Sequence, residues 1–151
     1  MKLIIAEKRS VAASIASALG VASRADGFYE GNNLLVSWCI GHLVSPMDAA
    51  GYDPRFRKWR FEDLPILPEP FRYVLAPGKE AAFENLRALM DRPDVDTIVN
   101  ACDAGREGEL IFRLVYEMAG CRKPVRRLWI SSMEDNAIRE GFSDLRPGAD
   151  Y

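Results

Sequence analysis

The chain is poor in the residues that most often announce a metal or nucleophile site. It holds one histidine, His42, and three cysteines, Cys39, Cys102 and Cys121. No two cysteines form a C-x-x-C pair and their number is odd, which argues against a disulfide framework and against a zinc site. Reduced, mostly buried thiols are expected instead. No apolar run approaches the ~20 residues of a bilayer-spanning helix. The opening Met1-Lys2-Leu3-Ile4-Ile5-Ala6-Glu7 meets an acid too early for a secretory signal, so a cytoplasmic protein without a membrane partner is expected. Excess positive charge is missing too: 20 Lys and Arg against 22 Asp and Glu leave a net −2. That balance speaks against binding DNA through the whole surface, but not against a local basic groove. No internal repeat and no low-complexity tract is present.

What is there is an ordinary globular composition, 48% apolar and 28% charged over 151 residues. It is enough for one domain with a proper core. Lys2 to Ala6 reads as a buried strand, and Val11, Ile15, Ala18 and Leu19 give Lys8 to Leu19 a helical period that stops at Gly20. Gly27 to Glu30 and Leu34 to Ile40 flank a Gly-Asn turn and predict a β-hairpin. Five prolines, at 46, 54, 65, 68 and 70, break residues 46 to 70 into an ordered surface excursion. In it Arg55, Arg57, Lys58 and Arg60 alternate with Phe56, Trp59 and Phe61, and Trp59 is expected to pack inward. Regular order then resumes: strand Phe71 to Ala76, helix Lys79 to Met90, strand Thr97 to Ala101, helix Glu107 to Ala119, strand Val125 to Ile130, helix Glu134 to Phe142. Alternating strands and helices predict an α/β domain over residues 1–145 with a mostly parallel central sheet flanked by helices. The hairpin and the Pro-rich segment, about 27–70, read as insertions on it. Residues 146–151 read as the start of a linker, and Arg122, Lys123, Arg126 and Arg127 as a solvated face or a face for absent domains.

Two strand exits carry acids: Glu7 after the first strand, Asp103 and Glu107 after the Thr97 to Ala101 strand. In open parallel sheets ligands bind outside the carboxyl ends of the strands. If the two strands are neighbours, three carboxylates meet on one rim. Carboxylates without His or Cys suit a hard cation such as Mg²⁺, and they suit acid–base work. Lys8 and Arg106 beside them suit a phosphate. A carboxylate at a helix start is also favoured by the dipole and by capping, which alone accounts for Glu107 and Glu109 and would serve for Asp103. Three acids and two cations at two strand ends favour a metal–phosphate site.

The blocks that carry these residues resemble a known family. Leu3-Ile4-Ile5-Ala6-Glu7-Lys8, Trp38-Cys39-Ile40-Gly41-His42-Leu43, the acidic stretch Asn100 to Phe112, and Arg127-Leu128-Trp129-Ile130-Ser131-Ser132 resemble, in this order, the Toprim domain of bacterial type IA DNA topoisomerases of the topoisomerase III kind. The resemblance implies a Toprim, Rossmann-like fold. It also implies a parent enzyme that cuts and rejoins single strands of negatively supercoiled DNA through a 5′-phosphotyrosine, with Mg²⁺ and without ATP. The tyrosine would come from another domain. Glu7 matches the glutamate expected to shuttle a proton at the leaving 3′-oxygen, and Lys8 a lysine that steadies the scissile phosphate. Asp103 and Glu107, with Glu7, match the metal-binding acids, Arg106 the arginine beside them, and His42 a histidine near the DNA path.

Gly105 departs from the family motif, which has an aspartate there. It removes one ligand, frees the backbone, and implies weaker or more water-mediated Mg²⁺ binding. Arg9 stands where proline is usual. Tyr29, Tyr52, Tyr73, Tyr116 and Tyr151 match none of the nucleophile's context, so this chain alone is expected to be unable to cut and rejoin DNA. The parent is expected in the bacterial cytoplasm with the nucleoid, working beside the remaining topoisomerase domains. Two other readings stay open: a stand-alone Toprim nuclease or primase-like enzyme, and a non-catalytic DNA- or protein-binding module in which Gly105 marks a decayed metal site.

Overall fold

The computed structural model describes residues 1–151. In chain order the strands are β1 (Lys2–Ala6), β2 (Ser23–Ala25), β3 (Phe28–Gly31), β4 (Leu34–Trp38), β5 (Val44–Pro46), β6 (Tyr73–Leu75), β7 (Thr97–Ala101), β8 (Val125–Arg127) and β9 (Arg146–Pro147). The helices are α1 (Arg9–Ala18), α2 (Ala49–Tyr52), α3 (Glu80–Asp91), α4 (Arg106–Met118) and α5 (Asp135–Ser143). Seven strands form one sheet in the order β2-β3-β4-β1-β7-β8-β9. Its middle is parallel: β1 pairs with β4 on one side and β7 on the other, and β7 pairs with β8. Antiparallel β2 and β3 extend one edge and β9 closes the other. The α/β class and the mostly parallel sheet are as the sequence predicts.

Strand periodicity divides the core in two, because successive side chains point to opposite faces. Leu3, Ile5 and Leu35 face α3 and α4, where Phe83, Leu86, Ile111 and Phe112 complete one cluster. Ile4, Ala6 and Val36 face α1 and α5, meeting Val11, Ile15 and Ile138. Gly20 and Gly120, just past α1 and α4, both adopt φ +67°, the left-handed conformation that ends a helix without a Cβ clash. No helix is long and apolar enough to cross a membrane.

Four expectations change. The hairpin is not an insertion: its second strand, β4, lies against β1 in the centre of the sheet. Leu34, Leu35 and Val36 are consecutive buried residues, the pattern of a strand covered on both faces. The strand expected at Phe71 to Ala76 pairs only with β5, in a separate two-stranded sheet. Residues 146–151 pack instead of leaving as a linker. Arg146 and Pro147 pair with β8, Gly148 is buried, and Tyr151 stacks on Trp129 with ring centroids 4.7 Å apart. They cover a strand that would otherwise be an open edge. Finally, Trp59 does not pack inward; it is 82% exposed. The segment around it holds only α2 and two single 3₁₀ turns, Pro54–Arg57 and Phe61–Asp63. Its prolines prevent any element long enough to bury one face.

Ile4→Ala, on the central strand and fully buried, is expected to cost about 2–5 kcal/mol in urea unfolding. Leu67→Ala, on the exposed excursion, should stay within ~0.5 kcal/mol.

Candidate metal and phosphate site at the sheet rim

Because β1, β4 and β7 run parallel, their carboxyl ends share one rim. Ala6 is in register with Trp38 on one side and Ala101 on the other. The next residues are therefore Glu7 and Lys8 in the middle, Cys39 on one flank, and Cys102 and Asp103 on the other. Glu7 is half-buried, while Lys8, Asp103, Arg106 and Glu107 are exposed. The Cys39 amide donates to Ala6 O at 2.8 Å and the Gly41 amide to Glu7 O at 3.4 Å. This bends residues 39–42 across the end of β1 and carries His42 to Glu107, where its Nε2 meets Oε1. Lys8 and Asp103 line one open cleft of about 400 Å³ with Ser131 and Met133. Neither the Glu7 nor the Asp103 carboxylate is engaged in an ion pair or side-chain hydrogen bond, and Arg106 and Lys8 make none either.

The acids share the rim but do not close into a cage. Nowhere in the chain do three His, Cys, Asp or Glu side chains gather as a ready set of metal ligands. Glu107 is turned to His42, and Glu109 is committed elsewhere. Two free carboxylates, Glu7 and Asp103, beside unpaired Lys8 still fit Mg²⁺, which commonly takes one or two carboxylates and completes its shell with water and substrate phosphate. The Cys102 thiol is unsuited to chemistry here. Cys102 is held well above the ordinary thiol range, first by the neighbouring Cys39 thiol and then by burial.

Beneath the rim lies a polar cluster that sequence reasoning missed. Arg127 is 1% exposed, not on a solvated face. Its Nη1 donates to the carbonyls of Asn100, Cys102 and Leu128 at 3.1, 2.7 and 2.9 Å, and its Nη2 to that of Asp103 at 2.8 Å. Its Nε lies 2.5 Å from Glu109 Oε1 as an ion pair, off the line of a hydrogen bond. Burial pulls the guanidinium below its usual pKa and Glu109 pushes it back up. Asn100, also buried, donates to Glu109 Oε1 at 2.8 Å and accepts from the Cys102 amide at 3.0 Å. Glu109 is thus more than a dipole-favoured acid: it is the anion of this cluster. The available signal was Asn100, a polar residue inside an apolar strand, which must find partners.

The two glycines of the acidic stretch differ. A Cβ on Gly108 would stand 2.1 Å from Asp103 O, so the loop closes onto α4 only because that residue has no side chain. A Cβ on Gly105 would meet nothing within 4 Å. With φ 176° its backbone is extended and open to any residue, so the backbone freedom expected of this glycine is not used.

Residues 2–133 match the Toprim domain family. The chain is 46% identical over 149 residues to a protein of Bacillus subtilis (strain 168) named DNA topoisomerase 3, and 43% identical to its namesake in Bacillus licheniformis. In both cases 99% of this chain is covered, and it spans 20% of the relative's length. Among solved structures, full-length topoisomerase I from Thermotoga maritima superposes with a TM-score of 0.62 at 24% identity, over 96% of this chain and 21% of that one. That likeness concerns the fold.

Gly108→Ala should destabilise by several kcal/mol, whereas Gly105→Ala should be neutral or stabilise by about 0.4–1 kcal/mol, through the unfolded chain. Arg127→Met, which strands Glu109 and the rim carbonyls, should cost about 3–5 kcal/mol. Denaturant titration checks all three; a Gly105 variant weaker than the Gly108 one would reverse the assignment.

Proposed function

The chain belongs to the Toprim domain family, and on that premise we propose that it is the acid- and metal-bearing domain of a bacterial type IA topoisomerase of the topoisomerase III kind. The observation that carries the proposal is the register of β1 with β7. It sets Glu7 and Lys8 beside Asp103 at one rim, where a phosphodiester fits between free carboxylates and free cations. The substrate is single-stranded or negatively supercoiled DNA. The parent chain's other domains supply the attacking tyrosine, no ATP is used, and the enzyme works at the nucleoid.

Lys8 holds the scissile phosphate by charge, and Arg106 holds a neighbouring oxygen with its planar fork. Glu7, half-buried between the two flanking strands, gives a proton to the departing 3′-oxygen and takes it back on rejoining. Asp103 and Glu107 are the residues that would hold Mg²⁺, joined by Glu7 only in its ionised state, after its proton has gone to the 3′-oxygen; the ion would neutralise phosphate charge when bound. Glu107 must first leave His42, which is free thereafter to face the DNA strand. Asp103 and Glu7 alone are a weak pair of ligands, so Mg²⁺ would be held weakly by this chain alone and more tightly where a substrate phosphate completes its shell. A decayed binding module explains the open carboxylates less well, because Lys8 and Arg106 stand unpaired beside them.

In the full-length enzyme Glu7→Gln is expected to slow covalent cleavage of single-stranded DNA by ~10²–10⁴-fold, the usual worth of a positioned acid–base group. Near-normal formation of the phosphotyrosyl adduct would sink that role. Gly105→Asp, for which the rim has room, should tighten Mg²⁺. Amide shifts at Glu7 and at Asp103 to Glu107 should then saturate at lower Mg²⁺ than in the unaltered chain. An unchanged titration would mean that the glycine does not mark a missing ligand.

A further inference from the structure

The Pro-rich excursion is the largest feature that the rim chemistry does not use. Both its ends are tied beside the site: the Ala76 amide donates to Leu43 O at 2.8 Å, one residue from His42. From this root it carries Arg55, Arg57, Lys58 and Arg60 in a run without an acid, bounded by Asp53 on one side and by Glu62 and Asp63 on the other. Arg57, Lys58 and Arg60 make no ion pair; Arg55 has only a loose one to Asp53 at 3.5 Å. Trp59, between Lys58 and Arg60, and Phe61, just after them, face solvent at 82% and 89% exposure, whereas Phe56 is half-buried under Arg55. Behind Trp59 lies an apolar groove of about 380 Å³, walled by Met47, Tyr52, Leu64 and Phe71.

We propose that this arm is a single-strand-binding surface, on which bases stack on Trp59 and Phe61 while Arg57, Lys58 and Arg60 neutralise the intervening phosphates. Rings that stack on bases of any identity, interleaved with cations that follow the backbone, are what sequence-tolerant single-strand binding requires. A protein partner fits less well. The centre of a protein–protein interface is enriched in Arg and aromatic rings but depleted of Lys, so Lys58 beside Trp59 is the residue that favours a nucleic acid. The arm extends the substrate path of the topoisomerase reading and rests on it: a strand leaving the rim past His42 continues onto the arm.

The test is fluorescence anisotropy with a labelled oligothymidylate of about 12 nucleotides, within the ~4–16 typical of such surfaces, bound to this chain in EDTA. Both variants alter exposed side chains, so folding is retained and is checked by circular dichroism. Trp59→Ala with Phe61→Ala should weaken binding roughly 30-fold or more, the loss of two stacking contacts. Arg57, Lys58 and Arg60 all changed to Ala should lower the slope of log affinity against log salt by about 2. Unchanged affinity and slope in the variants overturn the proposal, as does failure of the unaltered chain to bind. So does the signature of a protein occupant: unchanged oligonucleotide affinity with a lowered melting temperature of the full-length enzyme. Cleavage by the full-length enzyme separates the two readings. If the ring variant binds and cleaves like wild type, only the arm fails; if the wild type cleaves no DNA, the topoisomerase reading fails.

Discussion

One buried guanidinium organises the rim at the carboxyl ends of β1 and β7. Arg127 reaches from β8 under the exit of β7 and donates to the carbonyls of Asn100, Cys102 and Asp103. The Cys102 and Asp103 carbonyls are freed where the chain leaves the sheet, while that of Asn100 also accepts from the Leu128 amide at 2.9 Å; a buried carbonyl without a donor is costly. The same side chain is paired with Glu109 on the first turns of α4. Strand, loop and helix are therefore fixed to one another at the point from which Asp103 and Glu107 project. A buried ion pair is seldom a net source of stability. Its value here is geometric, because two acids on a loop can share a ligand only if the loop has one shape.

The constraint also explains the acidic stretch residue by residue. Gly108 is required because the Asp103 peptide lies against the first turn of α4. Glu109 is required as the counter-charge of Arg127, and Asn100 as the link between them. Gly105 is required by none of this. It faces open space with an extended backbone, so what it lacks is a side chain and not a conformation. The stretch divides into residues that hold the loop, 100, 108 and 109, and residues that the loop presents, 103, 106 and 107. Position 105 belongs with the second set and contributes no donor to it.

Much of this was legible in the sequence, for reasons that vary along the chain. β1 and β7 were read to the residue because a short apolar run between polar turns has no other use. The rim followed, since parallel neighbours must end on the same side. β4 reads as lying outside the sheet because hairpin signals are local, while its parallel partner β1 lies some thirty positions away and leaves no mark except the consecutive apolar residues Leu34, Leu35 and Val36. Arg127 escapes a sequence reading for a related reason: among the four basic residues 122, 123, 126 and 127 nothing distinguishes the one that points inward. Trp59 was misjudged because aromatic character usually means burial, and only the prolines around it hinted that no face was available to bury it. His42 was placed near the site by resemblance, but its contact with Glu107 depends on the loop crossing the end of β1, which no spacing reveals.

A net charge of −2 is compatible with the phosphate site proposed for the rim once pairing, rather than number, is considered. At the opposite end of the sheet the charges are spent on one another. Arg92 bridges Glu30 and Asp94 at 3.0 and 2.8 Å, and the amino terminus meets Asp96 at 2.9 Å. Asp94 is held below the usual carboxylate range first by its bond from Arg92, and Asp96 first by that from Thr97. At the rim and on the arm the cations Lys8, Arg106, Arg57, Lys58 and Arg60 have no such partners. Exposed pairs are worth little to stability, so leaving these five unpaired costs the fold almost nothing. It leaves Lys8 and Arg106 free at the carboxyl ends of β1 and β7, and the other three free on the excursion. Phosphate affinity depends on where free cations stand, and Lys8 and Arg106 stand on the rim that holds the two carboxylates no side chain occupies.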